Sequence, residues 1–377
     1  MATASISRAV GQLFSVGFNG LVAPPRLLDR IRRSEVGGVM LFRPNLESPP
    51  QTAALVRSLR QASPDEAPLV ISIDQEGGRV QRLTTPLTVW PAMARVAAAA
   101  DVQRTRAVGR ALGGELAALG IGWNLAPVLD VATNPRNPVI GDRAFAPSPD
   151  LVIDHALAFW RGLSDAGVLA CGKHFPGHGD TRTDSHLELP IVDHPDGRLR
   201  SVELAPFAAA ARAGIEALMT AHVLYPAWDA KAPATLSRPI CQQILRRELG
   251  FAGLLVSDDL GMGAVADRAA VEDLVIESLL AGVDHFLVRE PEDRQLRAFA
   301  GLVKAAEARV QVRERVEEAA QRVARFKARH TVPMPAATAV LAHVLGTQEN
   351  RDLAASFARV TPICAFAGPG FPPEGAA

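Results

Sequence analysis

Eight short apolar segments recur along this chain, and each is separated from the next by a longer segment, most of them with helical periodicity. The short segments are apolar on both faces and are bounded by glycine, proline or aspartate, which is typical of strands buried on both sides. They comprise residues 13–18, 38–42, 69–74, 123–131, 168–175, 217–222, 254–259 and 285–288. Because strands alternate with helices without a break, the pattern predicts an α/β fold, a single TIM-like (β/α)8 barrel.

Helical periodicity is clearest in five of the longer segments. They span residues 101–119, 148–166, 263–281, 291–307 and 312–329. The first ends at Gly120, a typical C-cap, and the second begins with Ser148-Pro149, a cap followed by a first-turn proline. We expect a catalytic barrel domain at residues 1–330 that ends in a C-terminal helix. We expect residues 331–377 to form a loosely structured, partly disordered tail with one short helix at 336–346.

Composition and charge exclude several classes of binding partner. Lys and Arg together number 40, as do Asp and Glu, so no charge excess favours nucleic acid or an anionic membrane. Three cysteines are too few for a disulfide framework or a thiolate zinc site. No apolar run approaches the ~20 residues that span a bilayer, and the first residues lack the apolar core of a signal peptide. We expect a cytoplasmic monomer that binds a small molecule, without nucleic acid or membrane as a partner.

Ionisable side chains end most of the predicted strands from the third onward. In a (β/α)8 barrel, catalytic residues project from the C-terminal ends of the strands, so these side chains would share one rim. A single aspartate there could cap the following helix, but a cluster of charges costs desolvation that proteins tolerate at functional sites. The residues concerned are Asp74, Asp130, Lys173, His174, His222, Asp258 and Asp259.

The densest polar segment, KHFPGHGDTRTDSH, follows the fifth strand at residues 173–186. Its proline and glycines exclude a regular helix, so it is predicted to be a loop. Asp184 and His186 are two residues apart, and their side chains can meet in an extended or turn conformation. A carboxylate beside an imidazole raises its basicity and fixes its tautomer, which suits a general acid and base.

Other interpretations of these motifs remain open. A zinc site could use the loop, although Pro176-Gly177 prevents helical i, i+4 geometry, and a surface loop with incidental histidines is a third possibility. The zinc ligands would be His174, His178, Asp180 and His186. The segment 261–266 matches G-x-G-x-x-A, with Glu290 near the end of the next strand, but two preceding aspartates would repel a pyrophosphate.

The seventh strand ends in Ser257-Asp258-Asp259. A carboxylate at a strand end can act as a covalent nucleophile toward an anomeric carbon. The alternative role is a cap on the following helix, which we expect of one of the two aspartates.

Several of these motifs together resemble glycoside hydrolase family 3, and within it the bacterial β-N-acetylglucosaminidases of the NagZ type. The resemblance extends from GQLFSVGF at 11–18 to RVARFKARH at 322–330. The Asp-Ser-His element marks the acetylglucosaminidase branch, whereas the preceding KHF-G-G element alone would also allow a β-glucosidase. The matching segments are IDQEGGRVQRL, VIGDRAF, KHFPGHGDTRTDSH, MTAHVLYP and VSDDLGM.

The resemblance implies a retaining glycosidase that needs neither metal nor cofactor. It assigns Asp258 as nucleophile, His186 as acid and base, and Asp184 as the partner of His186. The residues that grip the sugar would be Asp74, Arg82, Arg143, Lys173 and His174. Purely structural roles remain open: Glu76 could pair with Arg79, and Arg143 could pair with Asp142 or Asp130.

The implied substrate is a terminal β-linked GlcNAc on a peptidoglycan-derived anhydro-muropeptide. A neutral imidazole base does not repel an anionic acceptor, so phosphorolysis at the same site is an alternative. Three further alternatives are a β-glucosidase, a metal-dependent hydrolase and a non-catalytic sugar-binding barrel. Residues 84–91 and the tail depart from the family pattern, which bears on aglycone preference more than on the reaction.

Overall fold

The computed structural model describes residues 2–183, 189–289 and 291–362. Its centre is a closed barrel of eight parallel strands, in which β1 pairs with both β2 and β10. The barrel strands are β1 Phe14–Val16, β2 Gly38–Leu41, β3 Val70–Ile73, β6 Trp123–Asn124, β7 Leu169–Phe175, β8 Ala217–Thr220, β9 Leu254–Asp259 and β10 His285–Val288. Strands β4 Gln75–Gly77 and β5 Val80–Gln81 form an antiparallel hairpin outside it. The (β/α)8 fold and the positions of all eight predicted strands are confirmed, but the fourth strand ends at Asn124 rather than at residue 131.

Helices surround the barrel. They are α1 Ala2–Gly11, α2 Pro25–Arg32, α3 Pro49–Gln61, α4 Met93–Ala98, α5 Val102–Ala118, α6 Pro149–Asp165, α7 Asp196–Ser201, α8 Ala205–Ala213, α9 Gly263–Ala266, α10 Val271–Ala281, α11 Glu292–Ala308, α12 Val310–Ala328, α13 Thr338–Val344 and α14 Gln348–Ala355. A π-helix spans Pro239–Glu248. The continuous helix predicted at 263–281 is wrong, because α9 and α10 both bury apolar residues and periodicity cannot distinguish two such helices from one.

Strand alternation decides which side chains enter the barrel, because successive residues point to opposite faces of a strand. Lys173 lies inside, since it is 3% exposed and binds Asp74 across the barrel. The register places Cys171 beside Ala217, and Ala217 beside Leu254. Alternation along β9 from Leu254 then points Asp258 inward as well. Asp259 points to the outer face.

The described part of the C-terminal region, residues 331–362, packs against α3 and α5. The side chains of Leu341, Leu345 and Phe357 are buried there. The helix predicted at 336–346 corresponds to α13, and α14 is a second helix that the sequence analysis did not predict. The rest of the predicted tail lies outside the described residues. In the described ranges, no helix is both long and apolar enough to cross a membrane.

Candidate active site

Lys173 lies at the centre of a charged network at the C-terminal rim of the barrel. Its Nζ donates to Asp74 Oδ1 at 2.7 Å and lies 2.6 Å from Glu76 Oε1. Arg82 Nη2 donates to the other oxygen of Asp74 at 3.2 Å. Burial alone would raise the pKa of Asp74, but Lys173 and Arg82 outweigh it and hold that pKa below its ordinary value. Asp74 is therefore an ionised acceptor at neutral pH.

Glu76 extends this network to Arg143. The guanidinium donates to both Glu76 oxygens, from Nε at 2.9 Å and from Nη2 at 2.8 Å. Burial opposes ionisation of Glu76, yet Arg143 and Lys173 hold its pKa well below the ordinary value. Burial would lower the pKa of Arg143, and Glu76 raises it. Such a bidentate pair fixes the guanidinium plane against the rim.

The three ion pairs considered in the sequence analysis, Glu76–Arg79, Arg143–Asp142 and Arg143–Asp130, are wrong. Glu76 binds Arg143 and Lys173 rather than Arg79, and Arg79 instead donates to Asp142 at 3.0 Å. Arg143 therefore does not need Asp142 or Asp130 as its partner. Glu76 belongs to the rim network, whereas the sequence analysis gave it only a structural role. Its position two residues after Asp74 was the available signal.

Asp130, which ends the fourth predicted strand segment, orients His174. The Asp130 side chain is fully buried and accepts from His174 Nδ1 at 2.7 Å and from the His178 backbone N–H at 2.6 Å. Burial would raise the pKa of Asp130, but the two histidines lower it. His174 therefore carries its proton on Nδ1, and its Nε2 is left for another partner. Sequence reasoning placed Asp130 at the rim without this role.

The loop after β7 is anchored as far as Thr181 by the loop after β6. Asn137 Nδ2 donates to the carbonyl oxygens of His178 and Gly179, at 2.8 and 3.0 Å, and Asn134 Nδ2 donates to Thr181 O at 2.9 Å. These bonds fix the entry to the segment with the predicted acid and base. Asp184 and His186 themselves lie outside the described residues.

The two aspartates at the end of β9 have different environments. Asp259 Oδ1 accepts from the backbone N–H groups of Gly261 at 2.9 Å and Arg289 at 3.2 Å, and burial raises its pKa. Asp259 therefore ties the end of β9 to the end of β10. Asp258 accepts from the Asp259 N–H at 2.8 Å and is partly exposed. Its carboxylate lies on the same barrel face as Lys173.

His222, another predicted rim residue, supports the same strand end. Its Nε2 donates to the Asp259 carbonyl oxygen at 3.0 Å, and its Nδ1 lies 2.7 Å from Thr235 Oγ1. A carbonyl can only accept, so Nε2 carries a proton. His222 thus acts on the backbone of β9.

The hydrogen bonds of the described residues argue against the zinc and nucleotide interpretations. Nδ1 of His174 is engaged by Asp130 and Nδ1 of His178 lies 2.8 Å from Thr181 Oγ1, while Asp180 binds His194 at 2.6 Å. Within the three described ranges, no cluster of three or more His, Cys, Asp or Glu side chains is placed to hold a metal ion. The Gly261 N–H, which a phosphate would require, donates to Asp259. Glu290 lies outside the described residues.

The described rim therefore combines ionised acceptors, fixed cations and one inward carboxylate. Asp74 and Nε2 of His174 face groups that the sugar can offer, and Arg82, Arg143 and Lys173 can donate to hydroxyl or carbonyl oxygens. Asp258 is a carboxylate on the same inner face of the barrel as Lys173 and can attack an electrophilic carbon. The structure brings all six of these sequence-predicted residues to one rim.

Known proteins share this architecture. The model of the glycosyl hydrolase family 3 N-terminal domain matches residues 5–326. The chain is 37% identical over 362 residues to the β-hexosaminidase A of Pseudoalteromonas piscicida. The aligned region covers 89% of this chain and 60% of that protein. The chain thus spans less than two thirds of that relative.

Two solved structures are also similar. A family 3 β-N-acetylglucosaminidase from Paenibacillus sp. str. FPU-7 is 40% identical with a TM-score of 0.86, over 93% of this chain and 68% of that one. NagZ from Neisseria gonorrhoeae, solved with N-trifluoroacetyl-D-glucosamine, is 30% identical with a TM-score of 0.76. The match covers 92% of this chain and 97% of that one. The matched domain covers most of the chain, including every described residue of the rim. The chain belongs to glycosyl hydrolase family 3.

Proposed function

We propose that this chain is a retaining exo-β-N-acetylglucosaminidase that hydrolyses terminal β-linked GlcNAc. The observation that carries the proposal is the division of roles at the end of β9, where Asp258 faces the barrel interior and Asp259 binds backbone N–H groups. The relatives named as β-hexosaminidase and β-N-acetylglucosaminidase support the same activity. A sugar-binding barrel without turnover would not need an inward nucleophile beside the rim network.

In the first step, an Asp258 oxygen attacks the anomeric carbon and the bond to the leaving oxygen breaks. His186 donates a proton to that oxygen, and Asp184 stabilises the imidazolium before transfer. A glycosyl ester on Asp258 forms. A retaining pair of this kind requires the acid and the nucleophile to flank the glycosidic bond, about 5–5.5 Å apart for two carboxyls.

In the second step, water attacks the same carbon and breaks the ester. His186 takes the proton from water, and Asp258 leaves as a carboxylate, so the sugar retains its anomeric configuration. Two successive inversions at one carbon account for the retention.

The rim network binds the sugar. Asp74 accepts from hydroxyl groups with its remaining lone pairs, because its own cations hold it ionised. Arg82, Arg143 and Lys173 donate to hydroxyls or to the acetamido carbonyl.

The natural substrate in this proposal is a GlcNAc-containing muropeptide released in peptidoglycan turnover, and the site of action is the cytoplasm. The basis of this assignment is the resemblance of the sequence motifs to NagZ-type β-N-acetylglucosaminidases, and the solved NagZ structure supports it only as far as its N-trifluoroacetyl-D-glucosamine ligand. The catalytic unit in the proposal is residues 1–330, acting as a monomer, with residues 331–377 as an appended segment.

The test is an assay of the full chain with a chromogenic β-GlcNAc glycoside and the matching β-glucoside, with and without phosphate and EDTA. Asp258→Asn should lower kcat at least roughly a thousandfold, the scale of a lost catalytic group. Asp259→Asn is the matched control and should lower the unfolding temperature while changing kcat far less. Mass spectrometry of the quenched reaction should find one N-acetylhexosamine on the peptide that contains Asp258.

His186→Ala tests the acid and base assignment. It should slow glycosides with poor leaving groups more than activated ones, because only the former need protonation. Turnover unchanged in Asp258→Asn would remove the nucleophile assignment. A product that is a sugar phosphate would replace hydrolysis with phosphorolysis, preference for the glucoside would remove the acetamido specificity, and loss of activity in EDTA would indicate a metal-dependent hydrolase.

A further inference from the structure

Residues 84–91, here called the strap, and residues 331–362, here called the C-terminal segment, meet at one buried carboxylate. Glu115 of α5 is 2% exposed. Thr88 of the strap donates to it from its backbone N–H, at 3.2 Å to each oxygen, and from Oγ1 at 2.7 Å. In the C-terminal segment, the Gly346 N–H donates to Oε1 at 2.8 Å and Asn350 Nδ2 at 3.4 Å.

The donors described for Glu115 are all neutral. A buried carboxylate depends on such hydrogen bonds, because the loss of one leaves charge in a medium of low polarity. Glu115 therefore favours the conformation in which the strap and the C-terminal segment are both docked on α5.

The C-terminal segment also touches the strap directly. Gly346 has φ +56°, and a Cβ at this position would lie 2.0 Å from the carbonyl oxygen of Pro86. Only glycine fits such an approach, because any side chain would displace the strap. The two segments are therefore in steric as well as polar contact.

The strap is in turn bonded to the backbone that carries Arg82. Gln81 Nε2 donates to the carbonyl oxygens of Thr88 and Leu83, both at 2.8 Å. Gln75 Oε1 accepts from the N–H groups of Arg82 at 2.9 Å and Leu83 at 3.0 Å. A continuous set of hydrogen bonds thus runs from Glu115 to the residue whose guanidinium binds Asp74.

We propose that Glu115 is a positioning residue for sugar binding. With the C-terminal segment it holds the strap, and the strap holds the backbone of Arg82 at the rim. This inference rests on the proposed function, in which Arg82 contacts the sugar. Glu115 and Gly346 then set the affinity for the sugar and not the rate of bond cleavage, because neither is part of the catalytic machinery.

The experiment uses the full chain with Glu115→Gln and Gly346→Ala. We expect the KM for a chromogenic β-GlcNAc glycoside and the Kd for GlcNAc to rise about 3- to 30-fold, the usual range for coupling through a packed network. The kcat should stay within about twofold. Combination with Arg82→Lys should give less than the product of the separate effects, since both changes act through one residue.

Matched controls separate this role from simple destabilisation. Gly250 has φ +67° with no atom within 4 Å of an added Cβ, so Gly250→Ala reproduces the backbone strain without the contact. Glu216 is a buried carboxylate that accepts from Trp160 Nε1 at 2.9 Å and pairs with Arg329 at 3.0 Å, so Glu216→Gln removes a buried charge away from the strap. Both controls should lower the unfolding temperature and leave KM and Kd unchanged.

Hydrogen exchange gives a readout that does not depend on activity. The amides of Arg82 and Leu83 should exchange faster in Gly346→Ala than in Gly250→Ala. Equal exchange and equal KM in the two variants would overturn the positioning role. A wild-type chain that neither binds GlcNAc nor turns over its glycosides would refute the proposed function, and the exchange rates would then decide by themselves whether the C-terminal segment holds Arg82.

Discussion

At the scale of single residues, nearby side chains of the same type have different roles because they bond to different groups. Asp258 and Asp259 are adjacent in sequence, but one lies on the inner face of the barrel and the other accepts two backbone N–H groups. The rings of His174 and His178 also have different environments. Asp130 binds Nδ1 of His174, whereas burial and the neighbouring His174 lower the pKa of His178 to about 4. His178 is therefore neutral at physiological pH.

The role of Asp130 leads to a prediction about sugar binding. Asp130→Asn removes the charge that holds the proton of His174 on Nδ1, so the acceptor Nε2 would no longer be presented consistently. We expect kcat/KM for the β-GlcNAc glycoside to fall about tenfold or more, as for a lost hydrogen bond to a charged group. Asp142→Asn is the control, because Asp142 is an exposed rim carboxylate bound to Arg79. Equal effects of the two substitutions would contradict the orienting role.

At the scale of elements, Asp284 joins three parts of the fold. Its fully buried carboxylate binds Arg246 of the π-helix at 2.5 Å, and Arg315 and Arg322 of α12 at 2.6 and 3.1 Å. It also accepts from the Leu255 N–H in β9 at 3.0 Å. Burial would raise the pKa of Asp284, and the three arginines hold it below its ordinary value. The carboxylate thus anchors α12 beneath the barrel.

We expect Asp284→Asn to lower the free energy of unfolding by about 3–5 kcal/mol, because it removes the carboxylate partner of Arg246. It also leaves Arg315 and Arg322 with only the half-exposed Glu318 as a carboxylate partner among the described residues. Urea unfolding followed by circular dichroism measures this change. Glu272→Gln removes the exposed pair with Arg297, which is 2.8 Å long, and should leave the unfolding midpoint almost unchanged. A small effect at Asp284 would show that α12 is held by its apolar contacts alone.

At the scale of the whole molecule, histidines with lowered pKa values make stability depend on pH with the same sign as one another. Burial is the main cause that lowers the pKa of His178 and His330 to about 4 and that of His285 to about 3, from an ordinary value of 6.5. Between pH 6.5 and 4 the unfolded chain therefore binds more protons than the folded one. The free energy of unfolding falls as pH falls through this window.

Urea unfolding at pH 7.5, 6.5, 5.5 and 4.5 checks this prediction. Each histidine contributes a slope of at most about 1.4 kcal/mol per pH unit, so His285→Phe should make the dependence shallower by up to that amount. Below about pH 4, carboxylates with lowered pKa values, such as Glu76 and Asp284, should add to the loss. Constant stability from pH 7.5 to 4.5 would mean that these histidines are protonated in the folded state.

Local pattern was enough to predict the eight strands and the four longest described helices, α5, α6, α11 and α12. Short segments that are apolar on both faces, such as residues 285–288, are compatible with few structures other than a strand covered on both sides. Alternation with helices then leaves a closed parallel barrel, and chain direction places the polar strand ends on one rim. For that reason Asp74, Lys173 and Asp258 could be predicted to lie together before any contact was known.

Pairing across the molecule could not be predicted in this way. Sequence spacing contains no information on whether Glu76 meets Arg79 or Arg143, because the choice depends on how the hairpin β4–β5 folds over the rim. Nor did periodicity reveal that Glu115 binds both the strap and the C-terminal segment, which lie 27 and 231 residues away. The sequence by itself therefore determined the strands, their order and the chemistry available at the rim. Only the tertiary structure decided which charges meet, because a buried ion pair or hydrogen bond is selected by distance in space and by exclusion of water.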